Sequence, residues 1–374
     1  MSTMTSRQRL LGALRRERID RVPLSTYEMV GYDFQSWYAQ QPSYARLLQY
    51  IREKTDCVYV YGIPGLYRMD PAIKVDQLRE ETPEGACTRT TIHTPLGPLT
   101  RTQLVKPGIH TTWQTEHLLK SVEDVERYKS IRWVRREQAP DYGKFREMDR
   151  DLGDHGLPAP DCGDAFCTVA DLFAFGEYTI MALTETELLR GLVEAQHARV
   201  MDTLRSALDA GFHGLFRICG SEYGAAPYVP PRVWHALEGP YLKEMIDLIH
   251  SYPNCFARIH SHGRYRGLLD GFKTCAPAAI DPCEPPPDGD MTLAELKSEI
   301  GGRTCLMGAM ELKVLETGTP EIIRREVEQS MAMAKPGGGY IAISTASPIN
   351  MPLARRTEEN YYAWIDANLE LGRY

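Results

Sequence analysis

Short apolar runs alternate with longer segments of helical period through the second half of this chain, and that alternation limits the fold more than any other feature. Ala165 to Ala170, Gly214 to Cys219, Cys255 to Ile259, Ala278 to Asp281, Thr304 to Met307 and Gly339 to Ile343 read as strands. Glu185 to Ala210, Pro231 to His250, Arg266 to Thr274, Leu293 to Ile300, Pro320 to Ala334 and Glu358 to Leu371 read as helices. Strands separated by helices of this length run parallel, joined by right-handed crossovers. Two earlier runs, Arg21 to Leu24 and Asp56 to Tyr61, bring the number of strands to about eight. The pattern predicts an α/β fold, a (β/α)8 TIM barrel. The competing doubly wound sheet finds no GxGxxG fingerprint to support it. A barrel forms one core even at 374 residues, so 1–374 reads as a single domain.

One stretch breaks the alternation. From Thr82 to Val105 the chain is β-branched and polar, with Pro95-Leu96-Gly97-Pro98 as a turn. This reads as a β-hairpin inserted between the second and third repeating units, within an insertion spanning about 75–160. Residues 135–163, rich in Asp, Gly and Pro, read as a surface connection. Thr5 and Gln8 form a capping box ahead of a short helix. Gly337-Gly338-Gly339 precedes a strand rather than opening a helix, which suits a tight turn better than a phosphate loop.

A barrel of this kind places its active site at the C-terminal ends of its strands. Those ends carry Tyr27 and Glu28, Tyr61, Asp171, Arg217 with Ser221, Glu222 and Tyr223, His260 and His262, Asp281 and Glu284, Glu311, and Ser344, Thr345 and Ser347. The strongest signal among them is His260-Ser261-His262-Gly263. On extended backbone, residues two apart share a face, so both imidazoles can converge on one metal ion or substrate; two polar caps on a strand are the plainer reading. Two such nitrogens suit zinc when a carboxylate completes the set, and Glu222 and Glu311 are the candidate third ligands. Arg217 lies inside a strand run, where a cation needs a partner. It either clamps a substrate carboxylate or pairs with Glu222.

The formal charge of −7 argues against a nucleic-acid surface. No apolar run approaches the roughly 18–20 residues that cross a bilayer, and the N-terminal stretch lacks the apolar core of a signal peptide. Nine cysteines without a CxxC pair suggest reduced thiols, so the expected location is cytoplasmic.

The order of segments resembles the uroporphyrinogen decarboxylase superfamily, which includes cobalamin-dependent methyltransferases. The resemblance runs from the SRQRLLGALRRERIDRVP stretch through Ile92-His93-Thr94-Pro95-Leu96-Gly97, Gly239-Pro240-Tyr241 and His260-Ser261-His262-Gly263. It continues in Asp281-Pro282 with Glu284-Pro285-Pro286, Leu306-Met307-Gly308 and Glu359-Asn360-Tyr361. It implies a (β/α)8 barrel, as the strand pattern does independently. Porphyrinogen decarboxylases of this superfamily carry an arginine-bearing stretch near the N-terminus, where Ser25 to Gly31 here has no arginine. They also carry an acidic motif where this chain has Tyr61-Gly62-Ile63-Pro64. The methyltransferase branch is the better match. Its members bind zinc through a His-x-Cys pair and a later Cys. Here His260 matches the first ligand, His262 replaces the second, and Ser347 or a neighbour in Ser344-Thr345-Ala346-Ser347 replaces the third. A site without thiolates is a harder Lewis acid, better matched to an oxygen or nitrogen methyl donor than to thiol methylation.

The expectation is a metal-dependent, corrinoid-linked methyltransferase, for example an O-demethylase component, acting on a small methylated substrate. Zinc would sit on His260, His262 and Glu311 or Glu222. Glu222 would ligate or donate a proton, while Arg217, Tyr27 and Tyr223 position the substrate. The chain has no corrinoid-binding motif, so the cobalamin comes with a partner protein; a homodimer is left open. The alternatives are a decarboxylase using Arg217 as the carboxylate clamp, and a non-catalytic barrel subunit.

Overall fold

In a computed structural model that describes residues 4–138 and 140–374, eight parallel strands form one sheet. The first three residues, where the stretch read for a leader begins, and residue 139, within the 135–163 connection, lie outside the described residues. The barrel strands are β1 (Leu24–Ser25), β2 (Cys57–Gly62), β3 (Gly156–Asp161), β4 (Gly214–Cys219), β5 (Cys255–His260), β6 (Ala279–Asp281), β7 (Cys305–Met310) and β8 (Tyr340–Ser344). Their order is β1-β8-β7-β6-β5-β4-β3-β2, so the ladder runs all the way round and leaves one seam, between β1 and β2. The predicted TIM barrel is the fold observed.

A single carboxylate closes that seam. Asp56, fully buried just ahead of β2, accepts from the Leu24 backbone N–H at 2.9 Å, from Arg9 at 2.6 Å and from Arg21 at 2.7 and 3.1 Å. Its own N–H donates to the Leu24 carbonyl at 2.6 Å, and the Ser25 hydroxyl accepts from the Val58 N–H at 3.1 Å. Arg9 also grips Asp20, so the helix Ser6–Arg15 is locked under the barrel floor. That helix opens with the predicted Thr5–Gln8 capping box. Its Leu10, Ala13 and Leu14 pack against the inward residues Val58, Leu157, Leu215, Ala279, Cys305, Met307 and Ile341, which fill the lower lumen. The lumen thus turns from apolar at the floor to charged at the mouth.

The third strand departs from the sequence reading. Ala165–Ala170 is a helix, capped by Asp164, whose side chain accepts from the Cys167 N–H. The strand is Gly156–Asp161, inside the segment read as a surface connection, and all but its last residue are buried. Pro158 and Pro160 cannot donate to a ladder and so disguise a central strand. β3 keeps a full register with β2 but only Arg217↔Asp161 with β4. There Gly214 takes φ +108°, and a Cβ would stand 2.2 Å from the Pro158 carbonyl oxygen, so only glycine fits that approach. The segment Pro231 to His250 is also two helices, Pro231–Leu237 and Gly239–His250, broken at Glu238.

The inserted hairpin is part of a larger unit. Val75–Thr82, Gly85–Thr94, Gly97–Val105 and Trp113–Glu116 form a four-stranded antiparallel sheet between β2 and β3. Its Leu99 and Ile92 pack with the helices Ala165–Ala170 and Phe175–Thr184 over one side of the barrel. All nine cysteines are unpaired, and among the described residues no helix is long and apolar enough to cross a membrane.

Replacing Asp56 with alanine removes the acceptor of the buried Leu24 N–H and the shared anion of two arginines, leaving Arg9 with Asp20 and Arg21 with the Val22 carbonyl. The expected loss is about 3–5 kcal/mol of unfolding free energy, read by denaturant titration; a loss below about 1 kcal/mol would mean that the seam does not depend on this carboxylate.

Candidate functional site

Adjacent parallel strands in register present their paired residues to the same face, and β4, β5 and β6 use this to load the upper lumen with charge. Arg217 pairs with Arg258, and His260 pairs with both Cys219 and Asp281. Two cations therefore lie side by side inside the barrel, 8% and 1% exposed, and such groups persist only when paired. Arg217 donates to Asp161 at 2.7 Å, to Glu28 at 2.9 Å and to the Tyr27 hydroxyl at 2.9 Å. Its partners are thus Asp161 and Glu28, not Glu222, and the hydrogen bonds of both terminal nitrogens are made within the protein. Arg258 stands 3.3 Å from Asp281 Oδ1.

The two histidines do converge. Their ring centroids are 4.9 Å apart and nearly perpendicular, with His260 buried and His262 half-buried. His260 Nδ1 lies 3.0 Å from Asp281 Oδ2, and its Nε2 lies 3.1 Å from the Tyr27 hydroxyl. His262 Nδ1 lies 2.9 Å from Glu284 Oε1, while Glu284 Oε2 accepts from the Gly263 N–H at 2.7 Å. Each imidazole is therefore held by a carboxylate at Nδ1, and the Nε2 of His260 is engaged by the Tyr27 hydroxyl. Burial pulls the His262 pKa down, but the hydrogen bond and charge of Glu284 outweigh it and raise the net value. Burial pushes Asp281 up, yet Arg258 and His260 together hold its carboxyl below the usual carboxylate range. Tyr27 is driven up by burial, against the opposing charge of Arg217, and stays protonated through the physiological range.

The remaining predicted residues are dispersed around this core. Glu311 pairs with Lys313 at 3.1 Å, and Lys313 also binds Asp288; the second Glu311 oxygen is buried without a partner. Ser347 accepts from the Glu28 and Met29 N–H groups at 3.2 and 3.1 Å, fastening the segment after β1 to that after β8. Tyr223 stacks on Phe175 and accepts at its carbonyl from the Tyr178 hydroxyl, in an aromatic shelf on the rim. Asp171 caps the helix Ala165–Ala170 rather than ending a strand. Among the described residues no three His, Cys, Asp or Glu side chains are gathered as a metal cage. Two imidazole nitrogens suit zinc, and the third protein donor does not stand with them.

Three groups went unread in the sequence: Asp161, Arg258 and the two buried carboxyls that accompany the predicted Glu222 beside the mouth. Asp161 was hidden by the prolines of its strand. Arg258, in CFARIH, carries the same signal as Arg217, a cation inside a strand. Those two are Asp164 and Glu238, and with the half-buried Glu222 each has one buried oxygen lacking a partner. Burial is the chief force raising Asp164 and Glu238, and their mutual repulsion and that of Glu222 add to it. The Ser221 hydroxyl, which donates to Glu238, works in the other direction.

The family model for uroporphyrinogen decarboxylase (URO-D) matches residues 165–354, just over half of the sequence. The chain belongs to the URO-D family. Among curated proteins none matches. The solved structure of a methyltransferase from Methanosarcina mazei is similar over 98% of this chain and 99% of that one, with a TM-score of 0.62 and 14% identity. At that identity the likeness is one of fold. The matched residues run from the helix Ala165–Ala170 past β8, so they include Arg217, both histidines and Asp281 of this URO-D protein.

A glutamate with a raised folded pKa binds its proton more tightly when folded. Its contribution is fully present below the unfolded carboxylate range and is lost as pH rises through the folded value. Glu238→Gln removes that dependence and keeps an acceptor for Ser221. The variant should be more stable than wild type near pH ~8 by at least about 1 kcal/mol, with the gain vanishing toward pH ~4. Thermal melts at both pH values check this; an equal gain at both would mean that Glu238 is not held protonated.

Proposed function

We propose that this URO-D protein is a metal-dependent methyltransferase that works with a corrinoid on a small methylated substrate. One observation carries the reading. Both imidazoles at the mouth are held at Nδ1 by carboxylates, the outer arrangement that orients histidines ligating metal through Nε2. The methyltransferase from Methanosarcina mazei with the same fold supports the reaction class. His260 and His262 would hold zinc, for which the Tyr27 hydroxyl has to give up its contact with His260 Nε2. Glu222 and Glu311 each keep one buried oxygen without a partner, but the other oxygen of Glu311 is held by Lys313, so Glu222 is preferred for the third position. When bound, the ion supplies Lewis acidity toward the heteroatom that carries the methyl group.

The chain's own residues do the rest. Tyr27, protonated and fixed by Arg217, is the hydroxyl placed to give a proton to the departing oxygen or nitrogen. Arg217 acts by holding Tyr27. To clamp a substrate carboxylate, it would have to release Asp161 or Glu28, so the decarboxylase alternative gains no support from it. Tyr223 and Phe175 form an apolar rim suited to the substrate's carbon skeleton. The methyl acceptor in this reading is a corrinoid held by a partner protein.

Purified protein is expected to contain about one zinc per chain and to lose it in His260→Ala/His262→Ala. Methyl donors with ether or amine groups should then alkylate cob(I)alamin in the presence of wild type only. Wild-type protein purified without chelators and found metal-free would overturn the metal-activated reading and favour the non-catalytic barrel subunit.

A further inference from the structure

Arg258 takes no part in the reading above, yet it is the most deeply buried cation in the site. It lies two residues before His260 on β5, so both side chains face the lumen, and Asp281 is the in-register neighbour of His260 on β6. The three groups form a line. Arg258 Nε is 3.3 Å from Asp281 Oδ1, and Asp281 Oδ2 is 3.0 Å from His260 Nδ1. Arg217, the other lumen arginine, is tied to Asp161 and Glu28, which leaves Asp281 as the one anion paired with Arg258. Arg258 Nε, Arg258 Nη2 and Asp281 Oδ1 make no hydrogen bond, so the guanidinium meets the carboxylate as a buried ion pair.

We infer that Arg258 is a positioning residue which, through Asp281, decides which nitrogen of His260 carries the proton. An arginine only donates, so whatever stands between it and the imidazole must turn acceptor atoms toward both. A carboxylate can do so. It then receives Nδ1–H from His260 and leaves the Nε2 lone pair facing the mouth, where the Tyr27 hydroxyl donates to it. This rests on the proposed role of His260 only for its consequence, since a lone pair at Nε2 is what a metal or an acidic proton would need. The tautomer itself is a property of the protein alone.

Asp281→Asn separates the two demands. The amide has one acceptor and one donor end, and Arg258 claims the acceptor. The NH2 group then faces His260 Nδ1, which must become the acceptor, and the imidazole proton moves to Nε2. Removing the cation as well, in Arg258→Met/Asp281→Asn, frees the amide to turn its oxygen to the ring and returns the proton to Nδ1. Long-range 1H–15N spectra of histidine-labelled protein at roughly pH 8, above the ordinary histidine range, read the tautomer directly, with His260→Ala assigning the signal. The expected sequence is Nδ1–H in wild type, Nε2–H in Asp281→Asn and Nδ1–H in the double variant. Tyr27→Phe guards against a single variant that fails to fold: it should leave the proton on Nδ1. A proton that stays on Nδ1 in Asp281→Asn, or moves to Nε2 in Tyr27→Phe, would overturn the inference. Zinc affinity by chelator competition should fall about 10- to 100-fold in Asp281→Asn and recover in the double variant. If the tautomer follows the expected sequence while wild type binds no zinc, the role of Arg258 stands and the metal reading fails.

Discussion

Closure of the barrel depends on Asp56. Around seven of its eight junctions the sheet is held by backbone ladders, and at the eighth a carboxylate and a serine hydroxyl supplement a lone backbone bond, from the Asp56 N–H to the Leu24 carbonyl. The difference follows from β1, which pairs with β8 over only Leu24 and Ser25 and has little backbone left for β2. Asp56 also gathers Arg9 and Arg21, so the floor helix, the β1 approach and β2 meet at one buried anion. Such a hub is costly to desolvate and stable only when every lone pair has a donor, as here.

From that floor upward the lumen changes character within two residues on β4, β5 and β6, while β7 and β8 stay apolar. Leu215 and Ala279 are apolar, while Arg217 and Asp281 one inward step higher are charged. Ion pairs in a low-dielectric lumen fix geometry strongly, because rotating one partner strands the other. The chain Arg217–Tyr27–His260–Asp281–Arg258 runs across the mouth in this way and begins and ends on a cation. It sets the orientation of His260 from both sides, as Glu284 does for His262 from one.

How much of this was legible in the sequence depended on how locally each feature is encoded. Strands β4 to β8 and their helices show clear periodicity, and apart from the break at Glu238 their ranges differ from the reading by a few residues at most. Strand β3 was not legible, because a strand whose prolines make donors impossible looks like a loop until its neighbours are known. The histidine pair was readable from its two-residue spacing. Its carboxylate partners, Asp281 and Glu284, were visible as residues at strand ends but not as partners, since pairing across strands needs the register. Glu238 gave no signal at all: it lies at a helix break within what reads as one continuous helix.

The brevity of β1 has one more consequence. Tyr27 and Glu28 follow it directly, held by two ladder residues, by Asp56 and by Ser347. Segments with few backbone bonds open more often than the strands around them, on their own and without global unfolding. Each such opening would lift Tyr27 off His260 and Glu28 off Arg217 together. Any opening of the first strand would therefore uncover the histidine pair in the same movement, which ties exposure of the mouth to the shortest strand of the barrel.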